Sequence, residues 1–412
     1  MLNTFYTLLI AVAVIASGCS TNTSNGAHNN NTQTNQSNGP VESRKANTDY
    51  KPAFEGQTRV NGVTTKASFE SKVLTSELNR PWDIATLPDG RFLITEKAGS
   101  MRIATTDGKI SEAITGIPEV NSKGQGGLLG LTIDPQFANN RIIYWTFSEN
   151  VSGGTLTSVA KGKLSADEKQ IENATVIYRA TPAYNGALHY GSRILFDKSG
   201  NLIFSTGERS DKETRPQAQW LNSGLGKIIR ITTEGKPAAG NPFENKSDAR
   251  PELYSYGHRN VQSLAFHPAT GDLWEAEMGP QGGDELNRIG PGKNYGWPDI
   301  TYGEEYSGFK VGDGVTQKAG MEQPVYYWDP VLSPSGMTFY SGNDMPEWQN
   351  NLFICGLNSN HIARLVIENN KVVGEERLLA NEGQRFRDIT QGNDGALFAV
   401  TDDGRLYRVG KK

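Results

Sequence analysis

Four histidines could act as acid–base groups in the body of this sequence, because an imidazole titrates near neutral pH. They are His189, His258, His267 and His361. A lone histidine is more often a hydrogen-bonded structural residue than a catalytic base. His189 differs in context, since it lies in the glycine-bounded run 186–193 just before a strand-like segment. His267 belongs to a repeated turn and is predicted to be structural, and His361 is predicted to be a partly exposed strand residue.

Two groups of residues that include arginines accompany these histidines. Arg259 and Asn260 directly follow His258, and Arg385 and Arg387 are separated by one residue. Side chains two positions apart on a strand point to the same face. The spacing therefore places both guanidinium groups on one side, an arrangement suited to bidentate recognition of carboxylates.

The elements that must position these residues recur along the chain. Each copy is an Asp- or Gly-containing turn followed by an alternating apolar strand that mostly ends in Thr or Glu. The copies are 87–96, 133–146, 196–206, 266–276, 346–354 and 393–401. Their unequal spacing of roughly 45 to 80 residues is typical of propeller blades that carry loop insertions. The pattern predicts an all-β fold, a six-bladed β-propeller over residues 49–412.

A β-sandwich array is the rival fold, and it explains the repeated turn-and-strand unit less well. The longest insertions are predicted in residues 279–328, after the fourth copy. Long loops on a rigid β scaffold usually build the functional face. We therefore expect the loop insertions on the active-site face.

Charge and cysteine content exclude some classes of protein. The chain has 412 residues, a formal net charge of −4 and two cysteines. Nucleic-acid binding would require a basic face, so no nucleic-acid partner is expected. If Cys19 is lipidated, Cys355 has no partner within the chain, and its apolar surroundings predict a buried small hydrophobe.

The N-terminus has the pattern of an exported lipoprotein. An apolar run, 8–16, leads to small residues and then Cys19, which predicts a signal peptide over 1–19 that ends at a lipidated cysteine. Ordinary signal cleavage and an unprocessed apolar segment remain alternatives, and residues 1–6 carry no Lys or Arg. Residues 20–48, which contain His28, are polar and predict a flexible tether.

These features predict export and a lipid anchor on a bacterial membrane. The folded body would stand on the periplasmic or cell-surface side. Ser20 gives no signal for retention in the inner membrane, which mildly favours the outer membrane.

Seven runs resemble the signatures of the soluble aldose and glucose dehydrogenases that use pyrroloquinoline quinone (PQQ). They are 124–130 (GQGGLLG), 188–193 (LHYGSR), 225–230 (LGKIIR), 257–260 (GHRN), 277–287 (EMGPQGGDELN), 294–298 (NYGWP) and 385–388 (RFRD). The runs occur in the family's order and cover nearly the whole predicted propeller.

The resemblance implies a role for each matched residue. His189 would be the general base for the anomeric hydroxyl while the C1 hydride moves to PQQ. Arg259 would stabilise the negative charge that develops on the PQQ C5 oxygen, and Asn260 would hydrogen-bond the cofactor. Arg385 and Arg387 would bind the carboxylates of PQQ.

The resemblance also implies Ca²⁺, held against PQQ by the main-chain carbonyls of Gly279 and Pro280. Such an ion would polarise the quinone carbonyl. Gln125 would be a polar group near the catalytic histidine. The neighbouring acidic pair, Asp284 and Glu285, would be mainly part of the loop architecture.

Three positions depart from the soluble glucose dehydrogenases. Leu188 stands where they carry an acidic residue, 207–209 (GER) where they carry a glutamine, and Asn358 where they carry a PQQ-contacting lysine. The first two positions contact sugar or shape the pocket in that subfamily. The pattern is therefore closer to aldose dehydrogenases of broad specificity.

The leading hypothesis is a PQQ- and Ca²⁺-dependent aldose 1-dehydrogenase that produces aldonolactones. Its partners would be an aldose and an electron acceptor, either a quinone or a similar molecule. One alternative is a non-catalytic sugar- or partner-binding propeller of the same family. Another is a propeller lactonase, which would hold its metal with Glu, Asn and Asp side chains at the central channel.

Overall fold

The computed structural model describes residues 39–412. The predicted signal peptide 1–19, Cys19, His28 and the tether up to residue 38 lie outside the described residues. The described part is built from six antiparallel sheets, five with four strands and one with three. Each sheet is one blade of a β-propeller, so the predicted fold is confirmed.

The strands are assigned to the blades in chain order, except that the first strand joins the last blade. Blade 1 contains β2 (Pro81–Thr86), β3 (Phe92–Glu96) and β4 (Ser100–Ala104). Blade 2 contains β5 (Leu128–Ile133), β6 (Ile142–Val151), β7 (Gly154–Leu164) and β8 (Ile171–Arg179). Blade 3 contains β9 (Ile194–Phe196), β10 (Leu202–Ser205), β11 (Lys227–Ile231) and β12 (Leu253–Tyr256).

Blade 4 contains β13 (Val261–Phe266), β14 (Leu273–Glu277), β15 (Asp284–Ile289) and β16 (Tyr326–Trp328). Blade 5 contains β17 (Pro334–Phe339), β18 (Leu352–Gly356), β19 (Ile362–Glu368) and β20 (Lys371–Leu378). Blade 6 contains β21 (Phe386–Gln391), β22 (Leu397–Thr401), β23 (Leu406–Lys411) and β1 (Phe69–Thr75). A short helix, α1 (Phe137–Asn140), and the 3₁₀ turns Arg215–Ala218, Pro346–Trp348 and Ala380–Glu382 lie in the connections.

The ring of blades is closed by the N-terminal strand. β1 pairs antiparallel with β23, so blade 6 is made from both ends of the folded chain. In blade 1, isolated bridges from Met101 to Ile114 and from Ala104 to Ile110 extend the sheet beyond β4. The ring is thus closed by pairing within blade 6, and the edges that remain are those of short outer strands.

Apolar side chains fill the space between each pair of neighbouring blades. One cluster joins blades 4 and 5 through Trp274 and Phe339, and another joins blades 6 and 1 through Phe398 and Phe92. The remaining four pairs of neighbours have equivalent clusters. Burial of this apolar surface between blades is the main favourable contribution to folding.

The repeated unit in the sequence corresponds to one place in each blade. Each of the six copies contains all or part of the second strand of a blade, β3, β6, β10, β14, β18 or β22. The predicted insertion 279–328 needs correction, because β15 and β16 lie within it. The long connection is 290–325, between those two strands.

Two further predictions about single residues can be compared with the fold. Cys355 is buried, as expected. His361 was expected to be partly exposed, and this is wrong. It lies just before β19, is 4% exposed, and its Nδ1 contacts the Ser359 carbonyl at 2.9 Å.

Residues 39–48 contact the propeller, although composition assigned them to the tether. The backbone N–H groups of Asn47 and Thr48 donate to the Asp329 carboxylate at 2.7 and 3.0 Å. Glu42 forms an ion pair with Arg377 of β20 at 2.8 Å. Throughout residues 39–412, none of the helices has the length and hydropathy needed to cross a membrane.

The blades meet at a buried ion pair network near the propeller axis. Arg193, which precedes β9, contacts Asp83 of β2 at 2.5 Å and Asp388 of β21 at 2.9 Å. The same carboxylates accept backbone N–H groups from Leu131 and Ile84. Burial raises the pKa of Asp83, Arg193 opposes this effect, and Asp388 adds to it. The network joins four blades through charged hydrogen bonds.

We expect replacement of Asp388 by alanine to lower the free energy of unfolding by about 3–5 kcal/mol, because Arg193 loses part of its buried counter-charge. Urea denaturation measures the effect. Arg288→Gln is the control, since its ion pair with Asp272 is 3.6 Å long and exposed, and it should cost at most about 1 kcal/mol. Equal losses of unfolding free energy in the two variants would refute a particular stabilising role for the network.

Candidate active site

A cavity of about 770 Å³ opens at the end of the propeller where the innermost strands begin. Its wall is formed by the connections between blades and by the turns between the second and third strands of several blades. Every blade contributes residues, from Trp82 in blade 1 to Asp402 in blade 6. Tyr306, in the long connection 290–325, also lines it.

The cavity wall is strongly positive, although the whole chain has a net charge of −4. Six cationic side chains line it, namely Arg44, Arg80, Lys97, Arg259, Arg385 and Arg387. Only two carboxyl groups, Asp284 and Asp402, accompany them, and burial raises the pKa of Asp284 to about 7. Burial and the nearby Arg80 and Arg387 lower the pKa of Lys97. A pocket of this charge favours an anionic ligand.

His189 is presented by a sharply bent segment between β8 and β9. His189, Gly191 and Ser192 all have positive φ angles, of 46°, 64° and 90°. A side chain on Gly191 would overlap the backbone of Thr206, so glycine is required there. The side chain of Gln125 accepts the His189 N–H at 2.8 Å, and that of Asn260 accepts the Gly191 N–H at 3.0 Å.

The imidazole of His189 is paired with a buried carboxylate. Its Nδ1 lies 2.6 Å from Oε1 of Glu208, and because a carboxylate can only accept, Nδ1–H is the donor. Nε2 is then left as the basic nitrogen. Burial and the nearby Arg259 lower the pKa of His189 to about 4, against the opposing effect of Glu208. The imidazole is therefore neutral at pH 7 and able to accept a proton.

Arg259 is held beside His189 by hydrogen bonds to residues 277–279 of blade 4. Its backbone N–H donates to the Glu277 carboxylate at 2.5 Å, and its guanidinium donates to the carbonyls of Met278 and Gly279 at 2.9 and 2.6 Å. The guanidinium also lies over the Trp297 ring at 5.2 Å. Its Nε is buried and has no hydrogen-bond partner within the described chain, so this donor would reach a ligand only if the guanidinium moved.

The loop after β14 brings main-chain oxygens to the cavity. Gly279 and Pro280 both line it, and Asp284 anchors the loop by accepting the N–H groups of Gly279 at 2.8 Å and Ser333 at 2.6 Å. Carbonyl oxygens are hard donors of the kind that Ca²⁺ takes. The Gly279 carbonyl already accepts from Arg259, so a cation there would have to replace that hydrogen bond.

Arg385 and Arg387 lie together at the cavity, as their spacing predicts. Both donate through Nε to the Asp402 carboxylate at 2.8 Å. One carboxylate shared by two guanidinium groups leaves a net positive charge at this wall.

The three departures have different places in the structure. Glu208 is the partner of His189, a role that the sequence did not indicate. Leu188 is 42% exposed, and its carbonyl accepts from Arg209 at 3.0 Å, while Asn358 lines the cavity. No spacing rule could have found Glu208, because it is 19 positions from His189 and is brought there by the pairing of β9 with β10.

The fold and the site together define a six-bladed propeller with a positively charged cavity and a buried histidine–carboxylate pair at one end. The sequence model of the Glucose / Sorbosone dehydrogenase family matches residues 78–408. The chain belongs to that family.

Relatives of known name and structure agree with this assignment. The aldose sugar dehydrogenase YliI of Escherichia coli (strain K12) is 39% identical over 348 residues, which is 83% of this chain and 93% of the relative. The crystal structure of the soluble E. coli aldose sugar dehydrogenase in the apo-form matches with a TM-score of 0.80 at 38% identity, over 84% of this chain and 100% of that one. The PQQ-bound aldose sugar dehydrogenase of Streptomyces coelicolor matches with a TM-score of 0.69 at 28% identity, over 84% and 99%.

We expect Glu208→Gln to lower the pKa of His189 further, because the carboxylate favours the imidazolium. The variant should also fix the Nδ1–H tautomer less firmly, because an amide can donate to Nδ1 as well as accept from it. NMR titration of ¹⁵N-labelled histidine measures both properties. Glu213→Gln is the matched control, since Glu213 is exposed on the same connection. An unchanged pKa and tautomer in Glu208→Gln would refute the pairing.

Proposed function

We propose that the protein oxidises aldose sugars at C1 to aldonolactones, with PQQ and Ca²⁺ as cofactors, and passes the electrons to a quinone or a similar acceptor. The observation that carries this proposal is the buried pair of His189 and Glu208 at the wall of a cavity lined by cations. Family membership and the relatives' names support it.

The residues of the chain would perform the proton transfer. Nε2 of His189 accepts the proton of the anomeric hydroxyl as the C1 hydride leaves, which together convert the hemiacetal to a lactone. The Glu208 carboxylate, which accepts from Nδ1, stabilises the imidazolium that forms. The roles are those of a base and its orienting carboxylate.

The positive charge of the cavity wall complements the negative charge of the proposed cofactor. PQQ carries three carboxylates and, when bound, supplies the carbonyl carbon that accepts the hydride. Arg385 and Arg387 would hold carboxylates through their remaining N–H donors. The unpartnered Nε–H of Arg259 would stabilise negative charge on the cofactor oxygen. Asn260 and Gln125 line the same cavity while they hold the His189 segment.

Ca²⁺ would be held by Gly279 and Pro280, whose main-chain oxygens have the right chemistry. The ion would act as a Lewis acid toward the cofactor. For the Gly279 carbonyl to bind it, the guanidinium of Arg259 would have to leave that oxygen and turn to the cofactor.

No observation favours the alternative functions. A lactonase of the predicted kind needs side-chain oxygens free for a metal at the central channel. Here Asp83 and Asp388 are both taken by Arg193. A non-catalytic sugar-binding propeller would have no need of a histidine–carboxylate pair at the cavity wall.

We also propose that the protein is exported and anchored by a lipid on Cys19, on the periplasmic or cell-surface side of a bacterial membrane. The sequence pattern of residues 1–19 supports this. The polar segment that follows would tether the propeller to the membrane.

Addition of PQQ and Ca²⁺ to the apoprotein should give reduction of an artificial dye with several aldoses. His189→Ala should lower kcat by about 10²–10⁴-fold and leave PQQ binding, followed by absorbance, nearly unchanged. His361→Ala is the control, because His361 is a buried histidine outside the cavity wall. No PQQ binding and no reduction at saturating PQQ would overturn the proposal, and full activity of His189→Ala would overturn the base assignment.

Cys19→Ser should release the protein from the membrane fraction and abolish labelling by radioactive palmitate. Cys355→Ser should change neither property. Membrane association of an unlabelled Cys19→Ser protein would refute the lipid anchor.

A further inference from the structure

Residues 39–48, here called the N-terminal strap, are fastened to the propeller beside the cavity. The Asp329 carboxylate accepts three hydrogen bonds from the strap, including one from the Thr48 hydroxyl at 2.9 Å. The guanidinium of Arg59 binds the middle of the strap, where it donates to the main-chain carbonyls of Glu42 at 2.9 Å and Arg44 at 2.8 Å. Asp329 is buried, so the attachment is specific.

The strap carries a cation whose charge is only partly compensated. Arg44 donates to the Glu42 carboxylate at 2.7 Å, and Arg377 shares that carboxylate at 2.8 Å. Burial acts to raise the pKa of Glu42, but the hydrogen bonds from Arg44 and Arg377 outweigh it and lower the pKa to about 2. Glu42 is one carboxylate shared by two guanidinium groups, so it neutralises the charge of Arg44 only in part. Arg377 has a second carboxylate nearby, since its Nε lies 3.9 Å from Glu375.

Arg44 and Asn47 of the strap line the same cavity as His189 and Arg259. They share it with Asn358, a neutral side chain of blade 5. Lys45, which is exposed, is not part of the cavity wall. The family match begins at residue 78, so the strap precedes the matched region and adds to the site from outside it.

We propose that the N-terminal strap is a wall of the active-site cavity and that Arg44 supplies a positive charge for a carboxylate of the bound cofactor. The inference rests on the proposed function, since PQQ is the anion concerned. Arg44 is a binding residue in this scheme and takes no part in proton transfer. Its side chain is about half exposed, so its contribution should resemble that of an exposed ion pair.

The test is a titration of the apoprotein with PQQ in the presence of Ca²⁺, followed by absorbance and by quenching of tryptophan fluorescence. We expect Arg44→Gln to raise the Kd by about two- to fivefold, the effect of an exposed ion pair. Lys45→Gln removes the same charge one residue away and should leave the Kd unchanged. The difference between the two variants should shrink as salt is added.

Two further variants separate charge from structure. Arg44→Lys keeps the charge and should bind PQQ nearly as tightly as the wild type. In the Arg44→Gln background, Asn358→Lys returns a cation to the same cavity and should recover affinity. Equal Kd values for wild type and Arg44→Gln would overturn this inference alone. Failure of the wild type to bind PQQ would overturn the inference and the proposed function together.

Discussion

The propeller depends on one buried guanidinium. Arg193 binds Asp83 and Asp388 and also donates through Nε to the Gln262 carbonyl at 3.1 Å. The guanidinium carbon of Arg193 also lies over the ring of Trp82, 4.5 Å from the ring centroid. Because the two carboxylates accept backbone N–H groups in turn, Arg193 connects blades that apolar packing joins only pairwise. A buried cation with two carboxylates is costly to break, so the network fixes how the blades are arranged around the axis.

His189, the proposed base, is connected to this network through residues 190–192. Arg193 is anchored at the axis, and the segment back to His189 runs through left-handed conformations at Ser192 and Gly191. Strained backbone of this kind persists only where the surroundings determine it. Gln125, Asn260 and Gln262 supply that constraint by hydrogen bonds to the segment. The position of the imidazole is thus set by side chains from blades 2 and 4 as well as by its own blade.

The sequence predicted the repeated part of the molecule well and the irregular part poorly. The turn-and-strand copies each became the second strand of a blade, because alternation and turn residues are local signals. His189, Arg259 and the pair Arg385 and Arg387 meet in one cavity, as the family motifs implied. Glu208 was missed as the partner of His189, since strand pairing rather than spacing brings it there. Composition alone places the strap in the tether, because a polar segment gives no sign of contacts with charged residues far along the chain.

In the proposed function, the charges of the cavity would serve binding and catalysis through the same physical effect. Arg259 and burial both disfavour the imidazolium of His189, so the base stays unprotonated. The same excess of positive charge attracts an anionic ligand. A bound carboxylate would oppose the effect of Arg259 and raise the pKa of His189 from about 4 toward neutral pH, where a general base is most effective. A polyanionic cofactor in this cavity would therefore also adjust the basicity of the residue that accepts the proton.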